Sequence, residues 1–226
     1  MTARLTLVLL LLTVTAHPAE LVERPVSVTF VPPISTYGTD GRNTVSDFSF
    51  NIIGGYIGSV REFELGGLFN IVRFDLRGAQ VAGVFNLVGG SVHGLQVAPV
   101  NVIGGGLRGV QVGAVNVAGD SARGAQVGSV NFAAELHGLQ VGNVNVSGDM
   151  RGVKVGNVNL AGDMFGLQAG NVNVAGELRG AQVGNVNVAG EFDGIQVGNV
   201  NVGGSGRGFM LGNVNVAERL AVEVLR

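Results

Sequence analysis

The sequence contains no cysteine, so neither disulfide bonds nor lipid attachment through cysteine is available to these 226 residues. Charged residues make up only 13% of the chain, a fraction too small for a disordered charged tail. The formal net charge of −2 gives no basic footprint, and nucleic acid is therefore not an expected partner. Threonine does not occur after Thr44, which argues against the threonine rows expected of an ice-binding array.

Glycine, by contrast, is abundant, with 39 residues at regular spacing. Residues 138–207 are five copies of one 14-residue unit, GLQVGNVNVSGDMR, GVKVGNVNLAGDMF, GLQAGNVNVAGELR, GAQVGNVNVAGEFD and GIQVGNVNVGGSGR. Less regular copies precede them. A fixed period of this kind is typical of a repeat array, not of a flexible linker.

Each unit contains two short runs in which apolar and polar residues alternate, which is the signal of a β-strand. With the first glycine as position 1, apolar residues occupy positions 2, 4, 7 and 9, and usually 13, while position 3 is glutamine and position 8 is asparagine. The two runs are out of phase, and the Gly-Asn pair between them can form a corner because both residue types tolerate positive φ. We therefore expect a coil of two strands whose aliphatic side chains point to a common interior.

The predicted fold is an all-β β-solenoid, in which coils stack with parallel strands roughly 4.8 Å apart. Residues 20–62, which contain three of the five prolines, are expected to form an N-terminal cap. Residues 63–217 would form an array of about eleven coils, and residues 218–226 a charged C-terminal cap. An antiparallel meander is the rival arrangement, but it leaves the change of phase unexplained.

In this solenoid, equal positions of successive coils align, so glutamine and asparagine should form outward-facing ladders that hydrogen-bond along the stack. The ladders are the only predicted interaction surface, and a purely structural role in holding the coils together is the alternative. Lys154 and Met210 depart from glutamine at position 3, each as an isolated change. The predicted ladder residues are Gln140, Gln168, Gln182, Gln196, Asn145, Asn159, Asn173, Asn187 and Asn201.

Candidate chemistry is sparse, and the sequence predicts no catalytic residue, no cofactor and no metal site. His93 and His137 both end their coils, but three coils apart they would be roughly 14 Å from each other, too far to share a metal. Acidic residues recur at position 12, where a solvated turn and a weak cation site are both open interpretations; Ca²⁺ requires six to eight oxygen ligands, and each coil supplies one carboxylate. These acids are Glu135, Asp149, Asp163, Glu177 and Glu191.

The N-terminal segment MTARLTLVLLLLTVTA has the composition of a secretory signal, with Arg4, an apolar run and then small residues. We therefore predict a signal peptide over residues 1–19 and export to the periplasm, outer membrane or cell surface. An uncleaved membrane anchor is the alternative, although the apolar run is short for a membrane span.

The pattern G-x-Q-x-G-x-V-N-x, preceded by VPPISTYGTDGR, FSFNIIGGY and FELGGLFNI, resembles the LA_2272-type bacterial surface repeat proteins over about residues 26–217. The resemblance implies an exported protein of a Gram-negative bacterium with an envelope or surface location. It brings no activity, cofactor or functional residue. Many members are lipoproteins, an attachment that this cysteine-free chain lacks.

The predicted function is that of a non-enzymatic surface or envelope repeat protein, a structural or interaction module. Expected partners are a protein of the envelope, the membrane, or further copies of the chain bound through the faces or ends of the array. The alternative is an outer-membrane β-barrel or pore. Two features of the sequence argue against it: the chain has no tryptophan, and it has no unbroken ten-residue alternation of apolar and polar residues.

Overall fold

A computed structural model describes residues 21–221 and shows a stack of parallel coils that is 79% β. The coils form a β-solenoid of about 12 turns, which confirms the predicted fold class. The predicted signal peptide and residues 222–226 lie outside the described residues.

Within residues 21–221, the strands are joined by short turns and by a single six-residue 3₁₀ helix, Gly38–Asn43. The strands are β1 (Val22–Val31), β2 (Ile34–Ser35), β3 (Thr44–Asn51), β4 (Gly54–Ile57), β5 (Ser59–Gly66), β6 (Phe69–Val72), β7 (Leu76–Ala82), β8 (Phe85–Val88), β9 (Val92–Val97), β10 (Val100–Ile103), β11 (Leu107–Val112), β12 (Val115–Val127), β13 (Val130–Val141), β14 (Val144–Val155), β15 (Val158–Val197), β16 (Val200–Leu211) and β17 (Val214–Ala221).

Two parallel sheets run along the stack, one for each strand of the coil. Strands β1, β3, β5, β7, β9 and β11 pair in that order, and β4, β6, β8 and β10 form the second sheet. From β12 onward the strands continue through a bend and belong to both sheets. Equal positions are in register, as in Gln96↔Gln111 and Asn101↔Asn116. The antiparallel meander is therefore not the arrangement of this chain.

The N-terminal end of the stack is covered by the chain itself. Strand β2 pairs antiparallel with the end of β1, and the hydroxyl of Tyr37 donates a 2.6 Å hydrogen bond to the carbonyl of Val26. Parallel pairing of β1, β3 and β5 extends the stack into residues 20–62, the range expected to form a cap. At the other end, β17 adds a further rung on β16 that continues beyond residue 217.

The corner at Gly142-Asn143 turns both strands of the coil onto one interior, as predicted, but the side chains that point inward are not the expected ones. Gln140 and Asn145 are fully buried, whereas Val141 and Val144 lie half-buried on the outside. The predicted inward orientation of positions 2, 4, 7 and 9 is therefore wrong. Position 13 is buried as expected, in Met150, Met164, Leu178 and Phe192.

Hydrogen bonding between coils explains why amides occupy the interior. Burying an amide is unfavourable unless it finds partners, and an identical amide in each neighbouring coil supplies them. Alanine at position 10 and the large apolar residue at position 13 fill the remaining interior, as Ala175 and Leu178 do. The interior of each coil is thus half amide and half apolar.

Glycine is required at position 1 for a reason that the sequence did not reveal. Gly152 has φ +139°, and a Cβ atom there would overlap the carbonyl oxygen of Gly138 in the preceding coil. The glycine of the Gly-Asn pair does not have positive φ, contrary to expectation. It is needed because a Cβ at Gly156 would overlap the carbonyl oxygen of Gly142.

Candidate interaction surfaces

The predicted ladder residues do not form a surface. All nine are buried with 0% exposure: Gln140, Gln168, Gln182, Gln196, Asn145, Asn159, Asn173, Asn187 and Asn201. The prediction that they face outward is wrong, because the corner turns positions 3 and 8 toward the interior. They cannot contact a partner while the coils remain stacked.

The glutamine row is a chain of hydrogen bonds that all point toward the N-terminal end. The Nε2 of Gln182 donates to Oε1 of Gln168 at 2.7 Å and also to the backbone carbonyl of Val188 at 3.2 Å. The same donation to the preceding coil recurs from Gln80 to Gln140 and again in Gln196. The row therefore ties each coil both to its neighbour and to its own second strand.

The asparagine row runs in the opposite direction. Asn173 donates from Nδ2 to Oδ1 of Asn187 at 2.9 Å and to the carbonyl of Val183 at 3.1 Å. This pattern continues without a break from Asn51 to Asn215. These contacts support the structural interpretation of the ladders.

A carboxyl group terminates the glutamine row at its N-terminal end. Glu64 is fully buried and accepts hydrogen bonds from Gln80 at 2.8 Å, Asn51 at 2.9 Å and Ser49 at 3.2 Å. Burial raises the pKa of Glu64 to about 7, although these three donors act in the opposite direction. Glu64 therefore ends the row with an acceptor that titrates near neutral pH.

Lys154 interrupts the row inside the array. Its side chain is fully buried and its Nζ donates to the backbone carbonyl of Leu160, the contact that glutamine makes elsewhere. Burial lowers the pKa of Lys154 to about 7. The sequence marked this position as a departure from the repeat, but it did not indicate burial.

The outside of the array carries four rows of aliphatic side chains at positions 2, 4, 7 and 9, here called the aliphatic rows. Val155 and Val183 are 41% and 45% exposed. In the N-terminal coils the rows include Phe69 and Phe85, whose rings stack with centroids 5.2 Å apart. Further exposed members are Leu95, Val112, Val127, Val130, Ile195, Phe209, Leu211, Val214 and Val216.

An exposed amide row does exist, at position 6 instead of positions 3 and 8. Asn171 donates to Asn157 at 3.2 Å and accepts from Asn185 at 3.2 Å, and all three side chains are exposed. The sequence contained this signal in the repeated Gly-Asn pair, but the asparagine was assigned only to the corner.

Charged residues gather on the turn formed by positions 11 to 14. Arg179 pairs with Glu177 at 2.6 Å and Arg207 with Asp193 at 3.5 Å. The guanidinium of Arg179 also lies 5.6 Å from the ring centre of Phe165. Within residues 21–221, no three His, Asp or Glu side chains are grouped so as to hold a metal ion.

None of the helical structure in residues 21–221 is long and apolar enough to cross a membrane. Comparison of the chain with protein-family models, curated proteins and solved structures gives no significant match. Function is therefore inferred from the surfaces of the array itself.

Proposed function

We propose that the chain is a non-enzymatic, exported module of the bacterial envelope or cell surface that binds an envelope protein through its aliphatic rows. The observation that carries this proposal is that each coil has polar side chains inside and apolar side chains outside. Amides occupy the interior, and valines are left on the outside along the whole array. The buried amides hold the coils together, but each exposed valine keeps apolar surface in contact with water, and a partner that covers these valines would remove that cost.

The dimensions of the aliphatic rows support a binding role. Positions 2 and 4 are two residues apart on a strand, roughly 7 Å, and ten coils extend on the order of 50 Å. The strip between these two rows is therefore about 350 Å², the size of apolar patches that are often functional on soluble proteins. Positions 7 and 9 provide a second strip of the same kind.

The charge distribution favours a protein partner with an apolar face of its own. Both strips consist of Val, Leu, Ile, Ala and Phe, while acids and bases lie on the turn beside them. An apolar centre with a charged margin is the arrangement found in many protein interfaces.

Export is supported by the N-terminal sequence and by the resemblance to surface repeat proteins. Arg4 followed by the apolar run from Leu5 to Leu12 fits a secretory signal. In the absence of cysteine, binding of the aliphatic rows to an envelope protein would also retain the chain at the envelope.

Cell fractionation tests this proposal. The full chain is expressed in a Gram-negative host beside a variant in which Val112, Val127, Val155 and Val183 are replaced by threonine, which keeps the shape and the preference for strands. We expect the unchanged chain in the envelope fraction and the threonine variant released into the soluble periplasm. A matched variant with isoleucine at these positions should remain in the envelope. Recovery of the unchanged chain in the cytoplasm, or no difference between variants, would contradict the proposal.

A further inference from the structure

A second surface lies on the turn of the N-terminal half of the array, where basic side chains end successive coils. Arg77 is in register with His93, His93 with Arg108, and Arg108 with Arg123. All four side chains are exposed. Neighbouring members are roughly 4.8 Å apart along the stack, so this basic column extends about 14 Å in a straight line.

Acidic residues are scarce beside the basic column. Residues 76–119 contain neither aspartate nor glutamate. The carboxylate of Asp75, next to the column, already accepts a 2.7 Å hydrogen bond from the backbone N–H of Ser91. The overall charge of −2 conceals this local excess of positive charge, because most of the acids lie elsewhere in the chain.

The arginines of the basic column differ in ion pairing from two later arginines on the same line of the turn. Toward the C-terminus, Arg179 and Arg207 are paired with Glu177 and Asp193. Within the described residues, Arg77, Arg108 and Arg123 make no salt bridge. Their guanidinium groups are therefore open to an anionic ligand.

The column borders a shallow depression in the turn. The depression is lined by His93, Arg108 and Arg123 of the column. The hydroxyl groups of Ser91 and Ser121 line it as well. Asp120 is the one carboxylate that lines it. Hydroxyl groups and guanidinium groups side by side suit oxygen-rich anions, since arginine binds sulfate, phosphate and carboxylate through two parallel hydrogen bonds.

We propose that the basic column of Arg77, His93, Arg108 and Arg123 binds a linear anionic polysaccharide, with one acidic group of the ligand at each arginine. A straight row of exposed arginines, with His93 between Arg77 and Arg108, matches a polymer whose sulfate or carboxylate groups repeat along a line. This inference does not depend on the aliphatic rows or on the function proposed for them.

Single-stranded nucleic acid is the other polyanion to consider, and the column fits it less well. Proteins that bind single strands combine basic grooves with aromatic rings on which bases stack. The column contains no phenylalanine, tyrosine or tryptophan, and His93 is its single ring. On the same line of the turn, Phe165 is three rungs beyond Arg123, the last member of the column, and it already lies between Arg151 and Arg179.

Titration calorimetry with heparin, a sulfated polysaccharide, tests the proposal on the full chain at several salt concentrations. The variant Arg108→Gln/Arg123→Gln should bind at least 10-fold more weakly, and the slope of log affinity against log salt should fall by about two, one for each cation removed. The matched control is Arg179→Gln/Arg207→Gln, which removes two paired arginines from the same line of the turn and should bind as the unchanged chain does. Asp120→Asn should strengthen binding about two-fold.

Three results would overturn the proposal. They are no heparin binding at low salt, equal weakening by the two double variants, and tighter binding of a thymidine oligonucleotide than of heparin with the same number of charges. Neutral dextran should not bind in any variant. Because the four substituted arginines are exposed, circular dichroism should show the same fold throughout.

Discussion

Gln140 and Lys154 occupy the same position in adjacent coils, and the side-chain oxygen of Gln140 has no hydrogen-bond partner within the described residues. In the preceding coils the equivalent oxygen accepts from the glutamine Nε2 of the next coil, as Gln126 accepts from Gln140 at 2.8 Å. The Nζ of Lys154 is engaged by the carbonyl of Leu160 instead. One lysine therefore divides the glutamine row into two segments.

Replacing Lys154 with glutamine should stabilise the array. The new amide would donate to Gln140 and accept from Gln168, so it would complete the row and remove a buried amine. Satisfying one buried acceptor is worth about 1–3 kcal/mol, and a rise in the urea midpoint is the measurement that checks it. The reverse change in an intact part of the row, Gln182→Lys, should lower the midpoint; a less stable Lys154→Gln protein would contradict this reasoning.

Stability should pass through a minimum near pH 7. The pKa of Glu64 is raised in the folded state to about 7 from 4.5, so its contribution is fully present below pH 4.5 and is lost as pH rises through 7. The pKa of Lys154 is lowered from 10.5 to about 7, so its contribution is present above pH 10.5 and is lost as pH falls through 7. At about 1.4 kcal/mol for each pKa unit, upper bounds are about 3 kcal/mol for Glu64 and about 5 kcal/mol for Lys154.

Urea unfolding at pH 5, 7 and 9 measures how stability depends on pH. Two variants then show which side chain causes each part of that dependence. Glu64→Gln should remove the loss of stability between pH 5 and 7, and Lys154→Gln should remove the gain between pH 7 and 9. A pH profile that neither substitution alters would show that other groups determine it.

The buried asparagine row should matter far more to stability than the exposed one. Asn159 donates to Asn173 at 2.9 Å and to the carbonyl of Ala169 at 3.1 Å, and it accepts from Asn145 at 2.9 Å. Asn159→Ala leaves buried polar atoms without partners and should cost about 2–4 kcal/mol of unfolding free energy. Asn157→Ala, two residues away on the outer row, should cost less than about 1 kcal/mol, because its side chain is exposed to water. Equal losses in thermal or urea unfolding would mean that position 8 is not inside.

The glycine at position 1 should not tolerate a side chain. Gly152 combines positive φ with close approach to the backbone of Gly138, so Gly152→Ala is strained in both conformation and space. We expect a loss of at least about 3 kcal/mol. The glycine of the charged turn gives a milder comparison, since a Cβ at Gly162 would lie 2.9 Å from the carbonyl oxygen of Gly148 and its φ is not positive. Circular dichroism and urea unfolding of Gly152→Ala and Gly162→Ala compare the two sites, and similar stability would contradict the expected difference.

The period, the parallel stack and the corner could be predicted from the sequence because they follow from spacing. The 14-residue repeat aligns Gly138 with Gly152, and the change of phase at Gly142-Asn143 requires a bend. Spacing does not show which face of an alternating strand is buried, since Gln140 and Val141 alternate equally well in either orientation. The usual rule that valine is buried predicted the wrong face of the strand. Amides at equal positions of successive coils hydrogen-bond to one another, so burying them does not carry the desolvation cost that normally keeps amides at the surface.

The position of the charged residues on the surface was also only partly predictable from the sequence. A net charge of −2 excluded a basic footprint for the whole chain, yet Arg77, His93 and Arg108 fall in a segment without acids. Their alignment depends on coils of 16, 15 and 15 residues that are in register despite unequal length, with the extra residues accommodated in the turns. Only the observed register places them in one column.

Labelling of single cysteines measures the orientation of the coil most directly, because the natural chain has no cysteine. Cysteine is introduced separately at Val155 and Val183, which face outward, and at Ala175 and Ala189, which are 3% and 2% exposed. The native protein should react with a maleimide rapidly at positions 155 and 183, and at 175 and 189 only after denaturation in urea. Rapid reaction at 175 and 189 with protection at 155 and 183 would show that the valines, and not the amides, form the interior.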